Sequence, residues 1–274
     1  MTEFRPGRFE ILPVVVKNLL IINVLFFLAQ TSFKATGMVN LENLLGLHHV
    51  KSPLFQPWQI VTHLFMHGGI GHLFANMFGL WMFGSVLENL WGPKRFLTFF
   101  FLCGFGAAIL QIASLWFQHY ELLHQYVALK ANPTPDAINL FFQNFGLGSH
   151  PGAMNVLNSY QANPDNSMLA NELVNFITSY TNMAISYPTI GASGAVFGIL
   201  AAFVYLFPNT DIYLYFLFPI KAKWIGLAYF GYEIFSALQN SPGDNIAHWA
   251  HLGGGLVGFL LVITWNKTNR KKFY

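Results

Sequence analysis

The sequence predicts an all-α membrane protein, a bundle of six transmembrane helices with a long external insertion between the third and the fourth. Three observations carry that expectation. Of the 274 residues 54% are hydrophobic and only 9% are charged, too few charges to cover a compact soluble domain. The apolar residues gather in runs of about 20, the length that crosses a hydrocarbon core. The bases gather at the ends of alternate runs, as the positive-inside rule requires.

The first run, near 12–31, follows MTEFRPGRFE, which holds no small-residue cleavage site after a short apolar core, so this helix is expected to act as the insertion signal. Residues 32–57 are half polar and too broken to span, and LENLLGL with its neighbouring aromatics predicts a partly submerged loop. Runs near 70–90 and 96–116 come next. The second of these contains Cys103, a lone cysteine that excludes an intramolecular disulfide and reads as a small buried hydrophobe. Residues 117–187 form the external insertion, with apolar residues at helical spacing in FQHYELLHQYVALKANPTPDAINLFFQNFG and NSMLANELVNFITSYTNMAI. These predict short amphipathic helices at the outer membrane surface, while GLGSHPGAMNVLNSYQANPDNS between them reads as loop. Runs near 192–208, 222–238 and 247–265 complete the bundle, and residues 1–274 read as a single membrane domain without internal repeat or separate soluble core.

Charge orients the bundle. Arg5, Arg8, Lys94, Arg95, Lys221, Lys223, Lys267, Arg270, Lys271 and Lys272 fall at the termini and in two loops that a six-span topology puts on one side. Both termini are therefore expected in the cytoplasm, with a bacterial inner membrane as the expected location. The net charge of +3 is a topology signal, and no nucleic-acid partner is expected.

Polar residues inside apolar runs are costly and point to function. His63, His67, His72 and Asn76 precede or enter the second run, with His72 and Asn76 one turn apart on one helix face. Ser193 opens the fourth run, His248 and His251 open the sixth, and Glu88 and Glu233 stand near the cytoplasmic ends of theirs. Gly194 and Gly198, and Gly254 and Gly258, form two small-residue faces that allow close helix approach. If those faces meet, Ser193 and His251 lie at similar depth, a nucleophile beside the base that activates it. His72 and Asn76 would then be donors to a developing oxyanion. The spacing of His63, His67 and His72 does not keep three ligands on one face, so no metal site is expected. No acidic residue stands where it would serve as a third member.

The chain resembles the rhomboid intramembrane serine proteases. The likeness runs from PWQIVTHLFMHGGIGHLFANMFGLWMFGSVLE through TIGASGAVFGIL to AHWAHLGGGLVG, three motifs in order, each in an apolar run. It implies Ser193 as the nucleophile of G-x-S-G and His251, which stands three and seven residues before Gly254 and Gly258, as the catalytic histidine. It further implies oxyanion stabilisation by His72 and Asn76, and Phe197 beneath the catalytic ring. Where rhomboids often carry Trp-Arg in the first external loop, this chain has Trp58-Gln59. The resemblance implies a Ser-His dyad without cofactor, acting on single-span membrane proteins within the lipid bilayer. A non-catalytic rhomboid-like protein that binds membrane clients is the alternative.

Overall fold

The computed structural model of the chain describes residues 9–214, 218–239, 244 and 246–269; the bases Arg5, Arg8, Arg270, Lys271 and Lys272 lie outside these. In chain order the helices are α1 (Val14–Thr36), α2 (Leu41–Leu45), α3 (Gln59–Thr62), α4 (Ile70–Gly79), α5 (Ser85–Trp91), α6 (Pro93–Gln118), α7 (Tyr120–Ala131), α8 (Pro135–Asn144), α9 (Pro151–Ala162), α10 (Ser167–Ile185) and α11 (Ser193–Leu206). Two short strands, β1 (Asp211–Leu214) and β2 (Phe218–Lys221), precede α12 (Ala222–Gln239) and α13 (His248–Asn269). A π-helical turn, Leu80–Gly84, joins α4 and α5 into one rod of 22 residues.

The expectation of six spans is corrected. Among the described residues four helices are long and apolar enough to cross a membrane: Val14–Thr36, Ile70–Trp91, Pro93–Gln118 and His248–Asn266. The runs near 192–208 and 222–238 are not among them. With 14 residues α11 is about 21 Å long at about 1.5 Å per residue, short of the roughly 30 Å hydrocarbon core. Lys223, Tyr229, Tyr232, Glu233 and Gln239 dilute the apolar character of α12. Nor is the fold wholly helical, because β1 and β2 pair antiparallel with Asp211 opposite Lys221, a pair closed by a 2.9 Å ion pair.

Contacts divide the chain into two compact units. The first comprises residues 1–47, 56–113 and 188–274. Its core gathers Phe96, Phe99, Phe100 and Cys103 of α6 with Leu80, Phe83 and Leu87 of the α4–α5 rod and Ala195, Ile199 and Ala202 of α11. One end of this unit collects several helix termini. Arg95 at the start of α6 lies over the ring of Trp265 near the end of α13, 4.3 Å from its centroid, and Trp91 at the end of α5 meets the same ring edge-on. At this end Glu88, buried at 3% exposure, takes the Val15 and Val16 N–H groups on its two carboxylate oxygens, each at 2.8 Å. Pro13 offers no side-chain cap to α1, so the carboxylate satisfies amides that a helix start leaves unpaired and answers the positive end of the helix dipole.

The second unit comprises residues 48–55 and 114–187. It has a core of its own, with Ile138, Phe141, Phe142, Leu147, Leu157, Leu173 and Ile177 buried together. The segment expected as loop between the two amphipathic stretches contains the 12-residue helix α9. Pro151 fits the first turn, where its missing N–H costs nothing. Met154, Leu157 and Tyr160 then fall on one face toward the core, and the Tyr160 hydroxyl donates to the Pro133 carbonyl at 2.7 Å.

Replacing Glu88 by Ala strands two buried amides and is expected to cost roughly 2–3 kcal/mol. The thermal midpoint of detergent-solubilised protein should fall accordingly, with Glu88→Gln, which keeps one acceptor, falling less.

Candidate active site

The site is built where α11 and α13 touch through glycine. A β-carbon at Gly254 would run into the Gly194 carbonyl, and one at Gly258 would meet the Gly198 backbone. On the other side α6 presses its own small residues into the seam, Ala107 against Gly194 and Cys103 against Gly198. Backbone thus meets backbone, and the first residues of the two helices are brought side by side.

There Ser193, the first residue of α11, meets His251, in the first turn of α13. The Ser193 hydroxyl donates to His251 Nε2 at 2.9 Å or accepts from it, according to the tautomer of the ring. Phe197, one turn below the serine, stacks flat on the imidazole, with ring centroids 4.2 Å apart and planes within 9°. His251 is 8% exposed and Ser193 is half-buried, so the hydroxyl is the more accessible of the two.

His72 completes the face of the serine. Gly191 has a φ of +130°, which favours glycine, and a β-carbon there would lie 2.8 Å from His72 Cε1, 2.9 Å from its Nε2 and 3.5 Å from Ser193 Oγ. The imidazole therefore lies against the backbone just ahead of the serine. Its Nδ1 accepts from the Gly68 N–H at 3.2 Å, leaving Nε2 as the proton-bearing nitrogen. Asn76 is buried, and its amide donates to the His72 carbonyl at 3.0 Å. The segment before α4 is held from α1, where the Gln30 side chain donates to the His67 carbonyl at 2.7 Å and accepts from the His67 N–H at 3.2 Å. His67 packs its ring edge-on against His72, and burial pushes its pKa down to about 4, so it adds no charge beside the site.

The structure adds an acid that the linear pattern does not reveal. Glu233 of α12 is buried at 3%, and its Oε2 lies 2.6 Å from His248 Nδ1 and 3.0 Å from His251 Nδ1. It stands at the serine end of α12, opposite to the cytoplasmic end expected for it. His248 is buried and bridges onward through Nε2 to Asp244 Oδ2 at 3.0 Å. The Ile246 N–H and His248 hold the Asp244 carboxyl below its ordinary range. Glu233, His248 and His251 also stand close enough together, with donor atoms within 4.8 Å, to share a metal ion.

The Rhomboid domain family profile matches residues 54–122 and 149–267. The chain belongs to the rhomboid family. It is 25% identical to RHOMBOID-like protein 12, mitochondrial, of Arabidopsis thaliana, over 94% of this chain and 60% of that one. Rhomboid protein 1, mitochondrial, of Saccharomyces cerevisiae is 30% identical over 67% of this chain and 48% of its own length. Rhomboid protease GluP of Bacillus subtilis is 30% identical over 35% of this chain and 18% of its own length. The chain thus spans about half, and at most 60%, of these curated relatives.

In this rhomboid Gln59 does the work of a loop anchor at the Trp58-Gln59 departure. It is fully buried, its amide reaches the Asn43 and Leu44 carbonyls at 3.4 and 3.3 Å, and its Oε1 accepts from the Gln56 N–H at 3.1 Å. The Gln59 carbonyl accepts from His63 Nδ1 at 2.8 Å, and the His63 carbonyl accepts from the Gly191 N–H at 2.9 Å. Burial keeps His63 neutral, with a pKa of about 4. A continuous chain of bonds therefore runs from this loop to the residue two before Ser193. The 123–148 gap in the family match falls inside the second unit, whereas every site residue named above belongs to the first.

Gly191→Ala is expected to displace His72 by collision and to strain a left-handed backbone position. Its thermal midpoint in detergent should fall, and adding His72→Ala, which removes the collision, should recover part of that loss.

Proposed function

We propose that this rhomboid is an intramembrane serine endopeptidase that cuts single-span membrane proteins in or near the bilayer. The observation that carries the reading is the 2.9 Å approach of Ser193 Oγ to His251 Nε2, from two helices locked by glycine, with His72 beside it. Serine is a weak nucleophile at its free pKa and becomes effective beside a base. Ser193 Oγ attacks the scissile carbonyl while His251 Nε2 takes its proton. The carbonyl oxygen becomes an oxyanion, met by His72 Nε2–H and by the backbone N–H groups that open α11, which have no intrahelical acceptor. His251 then gives the proton to the departing amine, and water releases the acyl group by the same steps. Phe197 holds the ring through both transfers.

A helical substrate hides its carbonyls in its own hydrogen bonds and must unwind before attack, so the reading favours substrates with small, helix-weakening residues at the cut. The meeting of Arg95 with Trp265 near the end of α13, at the same end as the Glu88 contact with the start of α1, supports a cytoplasmic position for that end of the unit and for both termini; a bacterial inner membrane is the location proposed. The dyad, at the other ends of α11 and α13, then faces outward.

A fluorophosphonate probe should label the purified protein at Ser193, and Ser193→Ala and His251→Ala should each lose labelling and cleavage of a single-span test substrate while expression is unchanged, because nucleophile and base act as a unit. Absence of both labelling and cleavage in the folded wild-type protein would overturn the reading in favour of a non-catalytic client-binding rhomboid, and normal labelling of Ser193→Ala would overturn Ser193 as the nucleophile.

His72→Ala and Asn76→Ala should each lower kcat by less than the roughly 10² to 10³ that a sole oxyanion donor contributes, since the α11 N–H groups remain. His72, which reaches the serine, should cost more than Asn76, which bonds its own helix. An unchanged kcat in the double variant would remove both from the role.

A further inference from the structure

We propose that Glu233 is the positioning residue of His251: its carboxylate selects the imidazole tautomer that leaves Nε2 free for Ser193, and His248, bridged to Asp244, holds that carboxylate in place. The proposal deepens the serine-protease reading and rests on it for its kinetic consequence. Its structural content can be tested without turnover.

Proton bookkeeping carries the argument. An ionised carboxylate oxygen only accepts, so a ring nitrogen facing it carries a proton. Both Nδ1 atoms, of His248 and of His251, face Glu233 Oε2, at 2.6 and 3.0 Å. With its proton on Nδ1, neutral His251 presents a bare Nε2 to the Ser193 hydroxyl 2.9 Å away, the arrangement a general base requires. The opposite tautomer would put N–H against the nucleophile and leave Nδ1 as a second acceptor beside a carboxylate. A cation bound on Nδ1 would impose that same unproductive tautomer, so a productive base calls for the cluster as paired charges around a protonated Nδ1 and not as a metal centre.

His248 has carboxylates at both nitrogens, Glu233 at Nδ1 and Asp244 at Nε2, so both carry protons and the ring is an imidazolium. Its charge offsets Glu233, which is otherwise buried at 3% exposure. His248 also takes the in-line position on Oε2, and the His251 contact is out of hydrogen-bond alignment. Glu233 therefore acts on His251 chiefly through charge at short range. The Phe197 stack confines the ring to one plane, so this bias is expressed as a choice of tautomer and not as a rotation. These contacts span α11, α12, α13 and Asp244 just ahead of α13.

The test reads the tautomer directly by nitrogen NMR on full-length protein carrying ¹⁵N-histidine in detergent, in the Ser193→Ala background to remove the serine's own influence. His251 should carry its proton on Nδ1, and adding Glu233→Gln should move the population to Nε2; the same tautomer in both would overturn the proposal. In the active protein Glu233→Gln should lower kcat by about 10² to 10⁴ at constant KM, as loss of a base-orienting carboxylate does elsewhere. Glu233→Asp should recover at least about tenfold of that loss, and His248→Ala should cost less than about tenfold, because Oε2 is then free for His251. Equal losses in Glu233→Gln, Glu233→Asp and His248→Ala, tracking a fall in thermal midpoint, would reduce Glu233 to a structural residue and overturn the proposal. Should the wild-type protein fail to react with fluorophosphonate, the protease reading falls while the NMR comparison still decides the role of Glu233.

Discussion

The contact of the Gly194 and Gly198 backbone with Gly254 and Gly258 is the constraint on which the rest of the site depends. A hydroxyl and an imidazole on separate helices meet at hydrogen-bond distance only if the helix axes are unusually close, and side chains as small as alanine would hold them apart. Lipid does not drive helices together as water does, so tight packing has to supply both the attraction and the register. The seam is reinforced from α6, whose Ala107 and Cys103 fill the space the glycines leave. Cys103 is thus a packing residue of the glycine seam, and its small size matters more there than its thiol.

Around this seam, polar side chains from distant elements set the irregular backbone. Gln30 pairs its amide with both backbone groups of His67, and Gln59 gathers the carbonyls of residues 43 and 44. Each buried amide satisfies main-chain groups that a loop within a membrane protein would otherwise leave bare, at a depth where an unpaired group is costly. Their effect converges on Gly191 and His72, so the His72 side of the serine is shaped by residues that never touch it.

Much of this is legible in the sequence because the motifs are local. Ser193 stands directly before one glycine pair and His251 directly upstream of the other, so packing the two faces brings the side chains together without knowledge of any loop. His72 and Asn76 share a face by spacing, but the sequence does not reveal that the Asn76 amide turns back to its own helix. The number of spans is not legible from apolar runs alone, since α11 is apolar throughout yet only 14 residues long. α9 hides in a stretch of Gly, Pro, Asn and Ser because its signal is a sparse set of buried positions, set by a core that α7, α8 and α10 complete. Glu233 is hidden for another reason: its partners lie on the next helix, 15 residues away at His248, and no periodicity links them. The signal that could have found it is the cost of an acid in an apolar helix, which demands a partner wherever it occurs.

Glu88 gives the fold an order of assembly. Both of its carboxylate oxygens are committed to the amides of α1, yet it lies 73 residues downstream of Val15. A chain delivered from its N-terminus must insert α1 with those amides still facing water or headgroups, and can seat the helix only after the α4–α5 rod has emerged. Docking of α1 is then a long-range event that waits on the second apolar rod. Because α1 also carries Gln30, the loop ahead of His72 gains that support only at this step, so the His72 side of Ser193 is completed only after α1 has been seated against the α4–α5 rod.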